Sequence, residues 1–189
     1  ALLAAREDAA QRLALPFDRA ILACAESARL ARDTELAMTC YNALAASHVA
    51  GHVRAGALYG QGMMTGTAAV PRAIEALRSG EREIAQAGAR LVLDLAGDGI
   101  VTQTCAVLPT LPAANQILAV DSLAARGDRR AQDAVLALVL AVDPDVQVAA
   151  LRALASLGGA KSVMPIVHLA SSEAADKTVR DAARRTLNR

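Results

Sequence analysis

The chain has 189 residues, of which 54% are hydrophobic, 21% charged and 2% aromatic; 46 are Ala, 25 are Leu and none is Trp. That aliphatic content excludes a disordered chain, 12 Gly and 3 Cys exclude collagen-like and disulfide-scaffold classes, and abundant Ala, which helices favour and strands disfavour, excludes an all-β fold and points to an all-α one. Twenty basic and nineteen acidic residues leave a net charge of +1, which argues against a nucleic-acid or membrane-surface binder held by charge.

In chain order, residues 2–14 read as the second helix of an incomplete unit. Asp18–Ala31 and Glu35–Ala46 form the next helix pair, less regular than those that follow. From Val53 a theme recurs: VRAGALYGQGMMTG from Val53, IAQAGARLVLDLAG from Ile84, ILAVDSLAARG from Ile117 and VQVAALRALASLG from Val146. The closing glycines, Gly66, Gly97, Gly127 and Gly158, are 31, 30 and 31 residues apart. Each is expected to stop a helix in the left-handed conformation that glycine tolerates. In the last copy Val146, Ala149, Ala150, Leu154 and Leu157 recur at helical spacing and define one buried stripe. Asp143-Pro144-Asp145 supplies an N-cap, a first-turn proline and a first-turn acid, and Pro112 is expected to open the corresponding helix of the preceding repeat in the same way.

After each glycine comes a shorter apolar segment: AAVPRAIEAL, GIVTQTCAVL, AQDAVLALVL and KSVMPIVHLA. Each unit is therefore two antiparallel helices. Asp176–Asn188 reads as the first helix of a following unit, with Val179, Ala182, Ala183 and Leu187 as its stripe. A helix pair of this size does not bury its own apolar faces, so neighbours must stack. The expected architecture is an α-solenoid of about five stacked helix pairs over 15–49, 50–80, 81–111, 112–142 and 143–174, with partial units at 1–14 and 175–189. Residues 1–189 are read as a single array. The chain is expected to be a segment of a longer protein, because it begins at Ala1 without a leader-like run and ends inside a helical pattern.

DPDVQVAALRALASLGGAKSVMPIVHLA, Asp143 to Ala170, resembles the short bacterial HEAT repeats called PBS-lyase-like HEAT repeats. The matching features are the D-P start, Val followed by a paired Ala, the terminal L-G and a second helix around V-x-P. LAVDSLAARGD and AVPRAIEAL carry pieces of the same pattern. The resemblance covers residues 50–189 well and 15–49 weakly. It implies an armadillo-type superhelix acting as a non-enzymatic scaffold, whose partner is another protein or another domain of the same chain. Two other activities known on such repeats are a bilin lyase or isomerase acting on a carrier protein and a DNA-binding or DNA-repair protein. The first lacks an aromatic clamp for a tetrapyrrole, and the second lacks a basic face and aromatics. The first unit departs from the pattern: Gly56, Gly60 and Gly62 interrupt its first helix, which is expected to be kinked or irregular.

In such solenoids the second helices line the concave face. Register alone places Arg72, Glu75 and Arg78, then Thr102 and Gln103, then Gln132 and Asp133, then Lys161 and His168 where a partner would meet them. Their mixed sign suits a protein more than a phosphate backbone. No cofactor, metal or catalytic residue is expected. Gly60-Gln61-Gly62 with Gly66 lacks the strand a dinucleotide loop needs. His48 and His52 are spaced to share a helix face but lack a third zinc ligand, and they fall at an inter-helix corner. His168 reads as a surface residue. No nucleophile motif frames any Ser. Arg180, Arg184, Arg185 and Arg189 read as a solvated terminal helix, and Arg126, Arg129 and Arg130 beside Asp128 and Asp133 read as a corner of ion pairs. Cys24, Cys40 and Cys105 read as buried free thiols, with a Cys24–Cys40 bridge requiring an oxidising compartment. The compartment is left open, with the cytoplasm the first choice. The charge-free runs Gly99–Val120 and Leu36–Val53 are broken by prolines or polar residues, so no membrane span is expected.

Overall fold

The computed structural model describes residues 11–46 and 48–188, and all regular structure among them is helical. The helices are α1 (Gln11–Leu30), α2 (Thr34–Ala43), α3 (Gly51–Thr65), α4 (Val70–Leu77), α5 (Arg82–Asp94) and α6 (Gly99–Val107). They continue as α7 (Ala113–Arg126), α8 (Gln132–Ala137), α9 (Pro144–Leu157), α10 (Ala160–Ser171) and α11 (Lys177–Leu187). Tight 3-10 turns precede α4 and flank α8. The chain divides into two compact units, Ala1–Leu91 and Val92–Arg189. No helix among the described residues is long and apolar enough to cross a membrane.

The helix expected over 2–14 lies, up to residue 10, outside the described residues. Residues 11–14 belong instead to α1, which runs to Leu30 with Pro16 inside it. The expected break before Asp18 is therefore absent.

In the first unit α1 packs on α2, and both pack on α3. Ile21, Ala25 and Ala28 meet Ala37, Cys40 and Tyr41, with Leu44, Val49, Val53 and Ala57 completing the core. Among the described residues Tyr41 is the largest fully buried side chain. Its hydroxyl donates to Glu26 Oε1 at 2.5 Å, and Arg29 donates to Glu26 Oε2 at 2.8 and 3.0 Å. Burial, and then the Glu26 carboxylate, push the Tyr41 phenol up to about 12. Burial also pushes the Glu26 carboxyl up, but the hydrogen bonds from Tyr41 and Arg29 outweigh it and hold the group below its usual range.

The expectation of an irregular first helix at 51–65 is corrected: α3 is one continuous helix. Its glycines are contact points. A Cβ at Gly60 would clash with Tyr41 Cζ, and one at Gly62 would lie 2.5 Å from Leu91 Cδ2. Glycine's propensity penalty, up to ~1 kcal/mol, is smaller than the overpacking it avoids, ~1–3 kcal/mol.

In the second unit α7 packs on α9 and α9 on α11, while α8 packs beside α6 and α10 on α11. Several polar contacts join residues 29–35 positions apart in the chain. Arg126 donates to the carbonyls of Val92, Leu93, Leu95 and Gly97 at 2.6–3.1 Å, closing the carbonyl end of α5. Arg130 bridges Asp128 and Asp98. Arg152 pairs with Asp121 at 2.5 Å, 31 residues away, and Thr186 donates to the Leu151 carbonyl at 3.0 Å.

The local signals around α9 act as read. Asp143 accepts from the backbone of Asp145 and Val146, and Pro144 opens the helix. Val146, Ala149, Ala150, Leu154 and Leu157 are all buried, joined by Leu151 and Ala153. Pro112 differs: it is the N-cap residue of α7 rather than its first helical residue, and it offers no side-chain cap. Gly127 takes the left-handed conformation, with φ of 71°. Gly158 does not, because its φ is −66° with extended backbone. Glycine is needed there for space, since a Cβ would press on the Leu154 carbonyl oxygen. On α11, Val179, Ala182 and Ala183 are buried, whereas Leu187 is exposed.

Candidate functional site

The expected partner-facing residues fall into two separate groups, one in each unit, with three residues in neither. In the first unit Arg72, Glu75 and Arg78 recur every third residue along α4 and its end. They line one cavity of about 610 Å3 together with Asn42, Arg54, Leu58, Gln61, Glu81 and Ile84. Gln61 is only 4% exposed, yet both ends of its amide are satisfied. Arg72 Nη1 donates to Gln61 Oε1 at 2.8 Å, and Gln61 Nε2 donates to Asn42 Oδ1 at 2.8 Å. Arg54 pairs with Glu81, and its Nε is buried without a hydrogen-bond partner among the described residues.

In the second unit Asp133 and His168 lie on a groove of about 670 Å3 between α8, its following 3-10 turn, and α10. The walls are Leu136, Ala137, Val139, Leu140, Met164, Pro165 and Leu169. Leu140 is 78% exposed and Met164 73% exposed. Val163 and Val167 are exposed on the same helix, α10. Lys161 stands near this groove, paired with Asp133 at 3.4 Å. Asp133 therefore serves Lys161 and not the arginine corner where the sequence placed it.

Thr102 and Gln103 are exposed on α6 and line neither cavity. The Thr102 hydroxyl is turned back onto the Asp98 carbonyl at 3.2 Å. Gln132 is half-buried and lies beside Gly159, with its Nε2 lacking a partner among the described residues.

The arginine corner is more specific than a set of ion pairs. Asp128 caps the following 3-10 turn by accepting from Arg130 N, and it receives the Arg130 guanidinium as well. The side-chain bond from Arg130 is the largest influence that holds the Asp128 carboxyl down at about 2, and Arg130 lowers Asp98 in the same way. Arg180 donates to the Ser172 and Glu173 carbonyls, and Arg184 sits 3.9 Å from Asp181; Arg189 lies outside the described residues.

His48 lies in the turn before α3 and His52 in its first turn, at the inter-helix corner the sequence indicated, so the two do not share one helix face. Among the described residues no group of three His, Cys, Asp or Glu side chains is placed to hold a metal ion. Cys24, Cys40 and Cys105 are free thiols, and Cys24 and Cys105 are only partly buried. Burial, then the neighbouring Cys24 thiol, push Cys40 up, and burial pushes Cys105 up; neither shift favours a reactive thiolate.

Sequence reasoning missed Asn42, Arg54 and Gln61 as members of the first cavity, and Leu140 and Met164 as an exposed apolar pair. The signal for Gln61 was its position, a single amide between two glycines of an otherwise apolar segment. No protein-family model and no curated protein matches the chain.

Proposed function

We propose that the protein is a HEAT-like helical-repeat scaffold, an α-solenoid whose second helices dock a protein segment from another chain or from elsewhere in its own. The observation that carries this reading is the apolar groove between α8 and α10. Leu140 and Met164 stand largely in water on its walls, and the rim carries Asp133, Lys161 and His168. Scattered exposed aliphatics are ordinary on a protein surface, but a cluster rimmed by polar groups marks an interaction site. The chain-order packing of α7, α9 and α11, and contacts reaching about one repeat ahead, support stacked helix pairs. The D-P cap of α9 and the V-x-P of α10 support the HEAT-like assignment.

Recognition would work by covering apolar surface, at about 25 cal/mol per Å2 removed from water, while the charged rim sets register. A photo-reactive residue at Leu140 or Met164 is expected to crosslink one protein species in the cells that make this chain. The same residue at Arg152, on a first helix, is not. The purified crosslinked species should bind the intact chain and lose at least about tenfold in affinity to Met164→Asp, a charge at a buried contact. Equal crosslinking from Arg152, or unchanged affinity of Met164→Asp, overturns the reading.

A further inference from the structure

The cavity of the first unit has a chemistry that a general docking face does not require, and a directional hydrogen-bond chain defines it. An arginine side chain only donates. The Gln61 atom facing Arg72 must therefore be its oxygen, so the Gln61 amide nitrogen faces Asn42. That nitrogen only donates, so Asn42 must present its oxygen to Gln61. The order Arg72 to Gln61 to Asn42 is thus forced, and it leaves the Asn42 NH2 group as the outer end of the chain.

The inventory around the cavity is correspondingly rich in donors. Arg72 commits one N–H to Gln61, and Arg78 is exposed at the end of α4. Arg54 has a buried Nε without a partner among the described residues, while its Nη2 is taken by Glu81. Glu75 is the one lining carboxylate that is not ion-paired among the described residues. Leu58, Ile84, Ala45 and Ala76 supply apolar wall. A cavity of about 610 Å3 lies within the range of sites for small organic ligands, ~300–1,000 Å3.

We propose that this cavity binds a carboxylate attached to a short apolar body, with Arg72, Arg78 and the Asn42 amide holding the two oxygens and Leu58 and Ile84 meeting the hydrocarbon. A planar two-oxygen anion matches the fork of a guanidinium better than a point charge would. The same head group occurs on a free organic acid and on a glutamate side chain of a bound segment. The site does not depend on the docking groove of the second unit.

The test is a titration of the intact chain with hexanoate, hexylamine and an N-acetylated glutamyl-leucyl peptide amide, read by side-chain amide and guanidinium NMR signals. Hexanoate or the peptide should shift the signals of Asn42, Gln61 and Arg72, and the tighter of the two identifies the source of the carboxylate. Hexylamine should not shift them. Asn42→Asp is the decisive variant. It keeps the oxygen that Gln61 needs, so the local fold is retained, but it replaces the outer donor with a negative oxygen. It is expected to weaken binding by at least about tenfold, and the exposed Arg78→Gln by a smaller factor. Failure of both carboxylates to bind, equal binding of hexylamine, or unchanged binding by Asn42→Asp overturns the proposal. None of these outcomes bears on crosslinking at Met164.

Discussion

Helices α3 and α9 are copies of one theme in the sequence, yet they reach close packing by opposite means. In α3, Gly60 and Gly62 are cut away to receive a Tyr ring and a Leu side chain. In α9, the corresponding work is done by Ala149, Ala150, Ala153 and the leucines, which fill their space with methyl groups. At Gly60 and Gly62 helix propensity does not decide the residue; the size of the neighbour does. Where a buried ring or leucine stands opposite, glycine avoids a clash that outweighs its propensity penalty.

That contrast can be broken from both sides. Gly60→Ala improves helix propensity by up to ~1 kcal/mol but drives a Cβ into the buried Tyr41 ring. Set against an overpacking cost of ~1–3 kcal/mol, it is expected to lower the unfolding free energy by about 1–2 kcal/mol in urea titration; a neutral or stabilising result would show that the ring moves freely. Ala150→Gly is the mirror change in α9, at a fully buried position. It should lose about 1–2 kcal/mol, the sum of one methyl and the glycine penalty. Asp143→Ala removes the cap of α9 and should cost about 1 kcal/mol, with Asp143→Ser largely restoring it. Arg152→Ala breaks an exposed pair with Asp121 and should change stability by less than about 1 kcal/mol, less still at high salt.

Two groups carry a pH dependence, one at each extreme of pH. The Tyr41 phenol is raised from about 10 to about 12 in the folded protein. The stabilisation tied to its neutral form is complete below the unfolded pKa, and it is lost as pH rises through the folded one. A Tyr59→Phe variant, followed by phenolate absorbance, should show the remaining tyrosine ionising near 12 while folded. Asp128 behaves in the opposite sense. Its carboxyl is held down at about 2, so its contribution is present above the unfolded value near 4 and fades as pH falls toward 2.

Much of the helical structure was legible beforehand because its signals are local. The caps, the glycine stop after α7 and the apolar stripe of α9 depend on residues within a few turns of each other along the chain. What failed depended on a neighbour that spacing alone does not reveal. Gly60 looked like a helix breaker because Tyr41, nineteen residues earlier, was not seen opposite it. Gly158 looked like a left-handed stop because the crowding at the Leu154 carbonyl was not visible. Arg72, Glu75 and Arg78, which register groups together, line one cavity. Register did not reveal that Gln61 and Asn42 extend that cavity, or that Leu140 and Met164 leave their groove open to water.

If each helix pair gains its stability from the next in the chain, hydrogen exchange after a single perturbation should reveal it. Val179→Ala removes buried volume from α11, which packs on α9 and α10. Amides of α9 and α10 should then exchange faster, while those of α6 and α8 keep their protection. Equal acceleration from Gly99 through Leu187 would show that stability is not passed from neighbour to neighbour.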